Sequence, residues 1–262
     1  SRDMVEKASA EGGLGIDLSD MSFVNGGTRP DMPATGVSWN EAARFTNWLN
    51  TSQGFPAAYK FSTQPGDPGY NANANIELWV AGDAGFDSTN PFRNSQAHYF
   101  LPSVHEWYKA AFYDPNANDG AGGYWNYPTG SDSSPTAIAS GTAAGTAVWL
   151  QAFEQGPADI ILAGGLSPYG VMGQAGNVWE WEETAFYLVN DDGSSVRGER
   201  GGDWIAHLDF SPFLSASVHI PIDPTEEDRQ IGFRVASIPE PSSQLLGLLG
   251  MLGLLLRRRS AS

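Results

Sequence analysis

The sequence predicts an α+β fold with few helices, short strands and long ordered loops, and three observations carry that prediction. Gly 31 and Pro 17 supply 48 of the 262 residues, more than a helical protein accommodates. The 9 Trp, 9 Tyr and 13 Phe are spread along the chain, so the loops have bulky side chains to pack on and lack the composition of disorder. Two Ser-x-x-Glu boxes mark two helix starts, and no other helix signal matches them in strength.

Taken in order, Ser1-Arg2-Asp3 can cap a first helix through about Ala10, closed by Gly12-Gly13. Ser38-Trp39-Asn40-Glu41 opens a second, with Ala42, Phe45, Trp48 and Leu49 at helical spacing. Ser103-Val104-His105-Glu106 opens a third, with Trp107, Ala110 and Ala111 on one face and Pro115 beyond its end. Thereafter turns alternate with short strands, expected at 124–127, 177–181, 196–204 and 231–235.

The formal net charge is −16, and it becomes −18 over residues 1–236 once Arg257, Arg258 and Arg259 (+3) and Glu240 (−1) are set aside. Nucleic acid is therefore excluded as a partner, because phosphate neutralisation needs clustered basic side chains. The absence of cysteine excludes disulfides, zinc–thiolate sites, iron–sulfur clusters and thiol nucleophiles.

The C-terminus reads as a separate unit, 237–262, after a domain spanning 1–236. Pro239-Glu240-Pro241 precedes an unbroken apolar run, Leu245 to Leu256, closed by three Arg. As a helix the run is about 18 Å long, short of the ~30 Å hydrocarbon core, so it suits transient anchoring better than a permanent span. The Arg cluster orients residues 1–236 outward. These three parts resemble the PEP-CTERM sorting signal of Gram-negative bacteria. The resemblance implies recognition by an exosortase, cleavage near Glu240 and a final place at the cell surface or in the extracellular matrix. Nothing before Ser38 has the apolar core of a signal peptide, so the native gene is expected to supply one.

Four spaced pieces carry a second resemblance: Gly36-Val37-Ser38-Trp39-Asn40-Glu41-Ala42 with Asn47-Trp48-Leu49; Leu101-Pro102-Ser103-Val104-His105-Glu106-Trp107; Gly176-Asn177-Val178-Trp179-Glu180-Trp181; and Arg200-Gly201-Gly202-Asp203-Trp204 with Gly232-Phe233-Arg234-Val235. Together they resemble the formylglycine-generating (sulfatase-modifying factor) enzyme family. The resemblance implies an α+β fold related to C-type lectin domains. The family's first strand has no counterpart, so the chain is expected to begin just inside the domain.

The activity the resemblance implies is oxidation of a sulfatase cysteine by a copper-binding cysteine pair. Those two positions fall on Ala206 and Ser211, neither of which supplies the soft thiolate that copper(I) needs, so no copper and no such activity are expected. Asp203 replaces a family serine in the same pocket. His207, Asp209 and His219 could in principle hold a divalent metal, but polar residues on a surface loop are the better account of them. Ser211, His207 and Asp209 cannot form a hydrolase triad, being confined to five positions. A glycoside-hydrolase acid pair could be drawn from 30 carboxylates and is left open.

The resemblance also implies calcium, held by the Gly176 and Val178 carbonyls and the Glu180 carboxylate, although Gly173 stands where a side-chain ligand is expected. A second family site maps loosely onto Ala147, Val148 and Asp159. The former catalytic face, 203–230, is the expected ligand surface, with Asp203, Trp204, His207, Asp209, Phe210, Ser211 and His219 as contacts. The reading is an exported, non-catalytic protein that binds extracellular polysaccharide or a matrix protein. The alternatives are an enzyme with replaced metal- or carboxylate-based chemistry in the old pocket, or a matrix filler with no specific ligand.

Overall fold

Helix α1 (Arg2–Gly12) ends on Gly13, whose φ of 64° closes it in the left-handed conformation. In the computed structural model, which describes residues 1–18, 30–205 and 211–238, both predicted capping boxes form. Ser38 Oγ accepts the Glu41 N–H at 3.2 Å, and Glu41 accepts the Ser38 N–H at 3.0 Å, opening α2 (Trp39–Ser52). Ser103 and Glu106 repeat the exchange at 3.3 and 2.7 Å, opening α3 (Val104–Phe112).

The strands are short: β1 (Tyr99–Phe100), β2 (Tyr113–Asp114), β3 (Gly123–Tyr124), β4 (Thr136–Ile138), β5 (Thr146–Val148), β6 (Trp179–Ala185), β7 (Arg197–Arg200), β8 (Ile220–Ile222), β9 (Ile231–Gly232) and β10 (Ala236–Ser237). Four of them form the central sheet in the order β8-β7-β6-β9, antiparallel except for the β6–β9 pair. The antiparallel pair β1–β10 brings the end of the domain back beside the start of α3.

All four expected strands differ in their boundaries: the one expected at 231–235 keeps only Ile231 and Gly232, and the other three differ for local reasons. The strand expected at 196–204 stops at Arg200, because Gly201 and Gly202 turn away with φ of 100° and 75°. The one expected at 124–127 keeps only Tyr124, and Tyr127 turns to bridge Ser131 instead. The strand expected at 177–181 starts later and runs on to Ala185, through Glu182 and Glu183, two side chains that look solvent-facing in sequence and are fully buried.

Those glutamates fit inside because each has a cationic partner. Glu182 binds Arg200 Nε at 2.9 Å and His219 Nε2 at 2.7 Å. Glu183 takes Arg93 Nε at 2.7 Å and the Tyr59 hydroxyl at 2.8 Å, while Arg93 reaches on to Glu106 at 2.8 Å. Around them pack Trp39, Tyr59, Phe92 and Trp181, all buried. The indoles are pinned as well as packed: Trp39 donates to the Glu182 carbonyl and Trp181 to the Val37 carbonyl, both at 2.9 Å. The Arg197 guanidinium sits 4.3 Å from the Trp39 ring centroid and 4.2 Å from that of Phe92.

Glu199 is a buried acid of a different kind, with no ion pair to an Arg, Lys or His among the described residues. It is 4% exposed, and one of its carboxylate oxygens has no hydrogen-bond partner among the described residues. Burial, with Asp228 and Asp203 nearby, pushes its carboxyl from 4.5 up to about 8. Burial likewise lifts the capping Glu41 to about 7, against the bonds it accepts from Ser38. Both groups hold their proton more tightly when folded than when unfolded. Their stabilising contribution is complete below the unfolded value and is lost as pH rises through the folded one. The melting temperature is therefore expected to fall between pH 5 and pH 8.5, by an amount equivalent to a few kcal/mol. Glu199→Gln should flatten that decline, raising the melting temperature at pH 8.5 and changing it little at pH 5.

Candidate functional site

The Gly-Gly turn after β7 brings Asp203 and Trp204 against the interior. A side chain at Gly202 would approach Leu214 to 2.7 Å, and the Gly201 carbonyl accepts the Gly176 N–H at 2.7 Å, tying this turn to the Gly176–Trp181 loop. Asp203 follows at 5% exposure, its carboxylate accepting the Ile205 N–H at 2.8 Å. Trp204 is fully buried on Val148, Ala158 and Val178, with its indole N–H directed at the Phe153 carbonyl at 3.3 Å.

This geometry corrects the expectation at Trp204. Trp204 has no face to offer a sugar, because both faces are enclosed by the core. His219 is 2.7 Å from Glu182 and stacks on Phe186 at 4.7 Å, and the position of its ring leaves no room for a side chain at Gly198. It braces the sheet. Ala206, His207, Asp209 and Phe210 lie outside the described residues. Ser211 opens a short 3₁₀ turn, Ser211–Leu214. Among the described residues, no three His, Asp or Glu side chains converge so as to hold a metal ion.

Two of the three groups expected to bind calcium, the Glu180 carboxylate and the Gly176 carbonyl, are engaged by protein groups. Arg234 grips both oxygens of Glu180 at 2.5 Å, and the Trp107 indole donates to the same carboxylate at 2.7 Å. The Gly176 carbonyl accepts the Val178 N–H at 3.0 Å. Arg234 also reaches the Met172 and Gly173 carbonyls, both at 3.3 Å, on the side where a side-chain ligand is missing. A cation at this loop would have to displace the guanidinium, so the donor set does not fit one. In the looser second set, the Val148 carbonyl takes the Asn177 N–H at 2.8 Å. The Glu180–Arg234 pair borders an apolar cavity of about 540 Å³ lined by Val5, Phe45, Leu49 and Phe233.

A feature absent from the sequence reading lies across α3, β2 and β3. Tyr108, Tyr124, Tyr113 and Tyr169 form a continuous strip, with successive ring centroids 5.5, 5.1 and 6.0 Å apart. Tyr113 and Tyr124 are cross-strand partners in the β2–β3 pair. Tyr169 is delivered by a turn that Ser167 ties to the Ala110 carbonyl of α3 at 2.8 Å. Tyr124 and Tyr169 are 56% and 46% exposed. The segment after the 3₁₀ turn comes close to this strip, since Ala216 and Tyr108 both pack on the cluster of Trp107, Ala111 and Phe112 and the Ala216 N–H bonds the Asn126 carbonyl at 2.9 Å. The four tyrosines come from three separate stretches of chain, and only the Tyr113–Tyr124 pairing leaves even a local trace in the sequence.

A family model described as a sulfatase-modifying factor enzyme 1-like domain matches residues 18–238. The chain belongs to that family. Its sulfatase-modifying-factor-like domain is followed by a match to the PEP-CTERM protein-sorting motif at residues 237–259, which marks the protein for export, exosortase recognition and a cell-surface or extracellular place. Among solved structures, the domain is similar to variable protein 1 of Treponema denticola, with 18% identity over 91% of this chain and 82% of that one, at a TM-score of 0.58. CarF matches at 23% identity over 83% and 71%, TM-score 0.48. PvdO of Pseudomonas aeruginosa matches at 17% identity over 81% and 64%, TM-score 0.45. At these identities the likeness to variable protein 1 concerns the fold alone. No curated protein matches the sequence.

The Glu180–Arg234 pair generates a prediction in two parts. Removing the cation leaves a carboxylate of 5% exposure without its charge partner, so Arg234→Gln should cost about 3 kcal/mol or more, read as a lowered melting temperature. Adding Glu180→Gln to that variant should recover part of the loss. Chelator or added calcium should leave the melting temperature of the wild-type protein unchanged. A calcium-dependent rise would show that a cation competes successfully with the guanidinium.

Proposed function

We propose that the sulfatase-modifying-factor-like domain is a non-catalytic module that binds extracellular polysaccharide along the tyrosine strip. The single observation that carries this reading is the run Tyr108–Tyr124–Tyr113–Tyr169, two of whose rings face solvent. Tyrosine rings suit the C–H faces of sugar rings, and their hydroxyls remain available to the sugar's own hydroxyls. A strip of linked rings also matches a repeating polymer better than it matches a single small ligand. The strongly negative charge of the chain favours a neutral polysaccharide over an acidic one.

The non-catalytic part of the reading is supported by chemistry at the former reaction centre. Ala206 and Ser211 supply no thiolate, and the neighbouring Asp203 and Trp204 are turned inward and used in packing. In the cavity beside the Glu180–Arg234 pair, Glu180 is the one side-chain carboxylate among the described lining residues and is neutralised by Arg234, which weighs against an acid pair of the kind glycoside hydrolysis uses. Within this proposal, residues 245–256 anchor the exported chain in the inner membrane until the exosortase releases or transfers it. Among the described residues, no helix is long and apolar enough to cross a membrane.

The test is retention of the detergent-solubilised full chain on neutral exopolysaccharide. Tyr124→Ala and Tyr169→Ala should each weaken binding about tenfold, equivalent to about 1.4 kcal/mol, with little change in melting temperature. Phe210→Ala serves as the comparison on the old catalytic face. Loss of binding in that variant alone would return recognition to residues 203–211. Saturable binding that neither change affects would remove the strip from the proposal, and turnover of the polymer would replace binding with catalysis.

A further inference from the structure

The loop joining β6 to β7 ends in three consecutive apolar side chains that face water. Tyr187, Leu188 and Val189 are 76%, 60% and 56% exposed. The loop is firmly built: Phe186 N–H bonds the Val196 carbonyl at 2.9 Å, and Leu188 N–H bonds the Ala185 carbonyl at 2.8 Å. Asn190 accepts the Ala185 N–H at 2.9 Å and donates to Asn90 at 2.8 Å. Leu188 sits at φ 64°, a conformation that Gly or Asn adopts with less strain. Either of those residues would also leave less apolar surface in water. A strained leucine within an exposed apolar tip points to use of that tip.

The tip lies where the domain ends. Leu188 and Val189 line one cleft of about 780 Å³ together with Ile238, itself 47% exposed. The Ile238 N–H is bonded to the His98 carbonyl at 3.0 Å, which fixes the point from which the tail departs. Six residues, 239–244, separate it from Leu245 and the apolar run. Fully extended, that connection spans about 25 Å at most. A domain of this size is roughly 45 Å across, from a radius of gyration of about 17 Å. With residues 245–256 in a bilayer, the face around Ile238 is held near the lipid and the opposite face is kept out of reach.

We propose that Tyr187, Leu188 and Val189 form an apolar foot that enters the headgroup region of the membrane while the chain is anchored, and so seats the domain in one orientation. This rests on the proposed anchoring through residues 245–256. Tyrosine beside aliphatic side chains is the composition that partitions into a bilayer interface. Asp191 and Asp192 follow the tip directly, and the chain is acidic throughout, so the favoured surface is zwitterionic rather than anionic.

The lack of native cysteine makes the test direct. Leu188→Cys, Val189→Cys and Ile161→Cys are each made in the full chain and labelled with an environment-sensitive dye, Ile161 being a comparison site of 64% exposure. Each is reconstituted into phosphatidylcholine–phosphatidylethanolamine vesicles and isolated by flotation. The dye at 188 or 189 should be quenched by aqueous iodide about fivefold less than the dye at 161, as expected for burial at the interface. Val189→Asp should restore quenching at 188 while flotation persists. Flotation with equal quenching at all three sites would overturn the foot and leave the anchoring intact. Failure to float would overturn the anchoring and the foot together. Shielding at 188 that weakens as the protein is diluted at constant lipid would assign the tip to a second copy of the chain and overturn the lipid assignment.

Discussion

Charge neutralisation along β6 is the constraint on which the rest of the architecture depends. Three carboxylates in four consecutive residues, Glu180, Glu182 and Glu183, are withdrawn from water on one short strand. Such burial is tolerable only when each acid meets a cation and its remaining lone pairs are occupied. The partners come from widely separated places: Arg93 from the loop before β1, Arg200 from β7, and Arg234 from the segment after β9. Each ion pair therefore fixes one stretch of irregular chain against the sheet. Pairs of this kind add little net stability over apolar packing, but losing one partner is costly, which makes them specify a single arrangement.

The same logic orders the loops. With so little regular structure, backbone groups need other partners, and long polar side chains provide them. Arg44 donates to the carbonyls of Ala72, Thr63 and Asn71 from the middle of α2, while its guanidinium lies 3.8 Å from the Phe61 centroid. Asn50 bonds both the Tyr99 N–H and the Tyr99 carbonyl. Asn177, at φ 70°, bonds both backbone groups of Ala158. Loops secured in this way hold positions that elsewhere would require helices or strands.

What could be read from the sequence was what depends on neighbours. Both capping boxes span four residues, and both formed. Membership in the sulfatase-modifying-factor family was legible because its motifs are contiguous strings such as Gly-Asn-Val-Trp-Glu-Trp. The continuation of β6 was not, because Glu182 and Glu183 read as solvent-facing until Arg200 and Arg93 are placed beside them, 18 and 90 residues away in the chain. Trp204 looked available because aromatic residues in a polar loop resemble a binding surface, whereas Val148, Ala158 and Val178 enclose it. The family resemblance implied calcium at Glu180, whereas Arg234 engages it from 54 residues downstream. Beyond the local Tyr113–Tyr124 pairing the tyrosine strip had no signature, since adjacency across α3, β2, β3 and the Tyr169 turn exists only after folding.

The attachment of the tail has a mechanical side. β10 meets β1 through just two residue pairs, Tyr99 with Ser237 and Phe100 with Ala236, with one further backbone bond at Ile238. Any tension on the C-terminal segment enters the domain through this contact before it reaches the central sheet. The contact is short enough to peel, so it works as a fuse: residues 236–238 can be drawn out while β6 and its ion pairs stay assembled. A processing enzyme that pulls on the segment would gain several residues of extended substrate without unfolding the domain behind them.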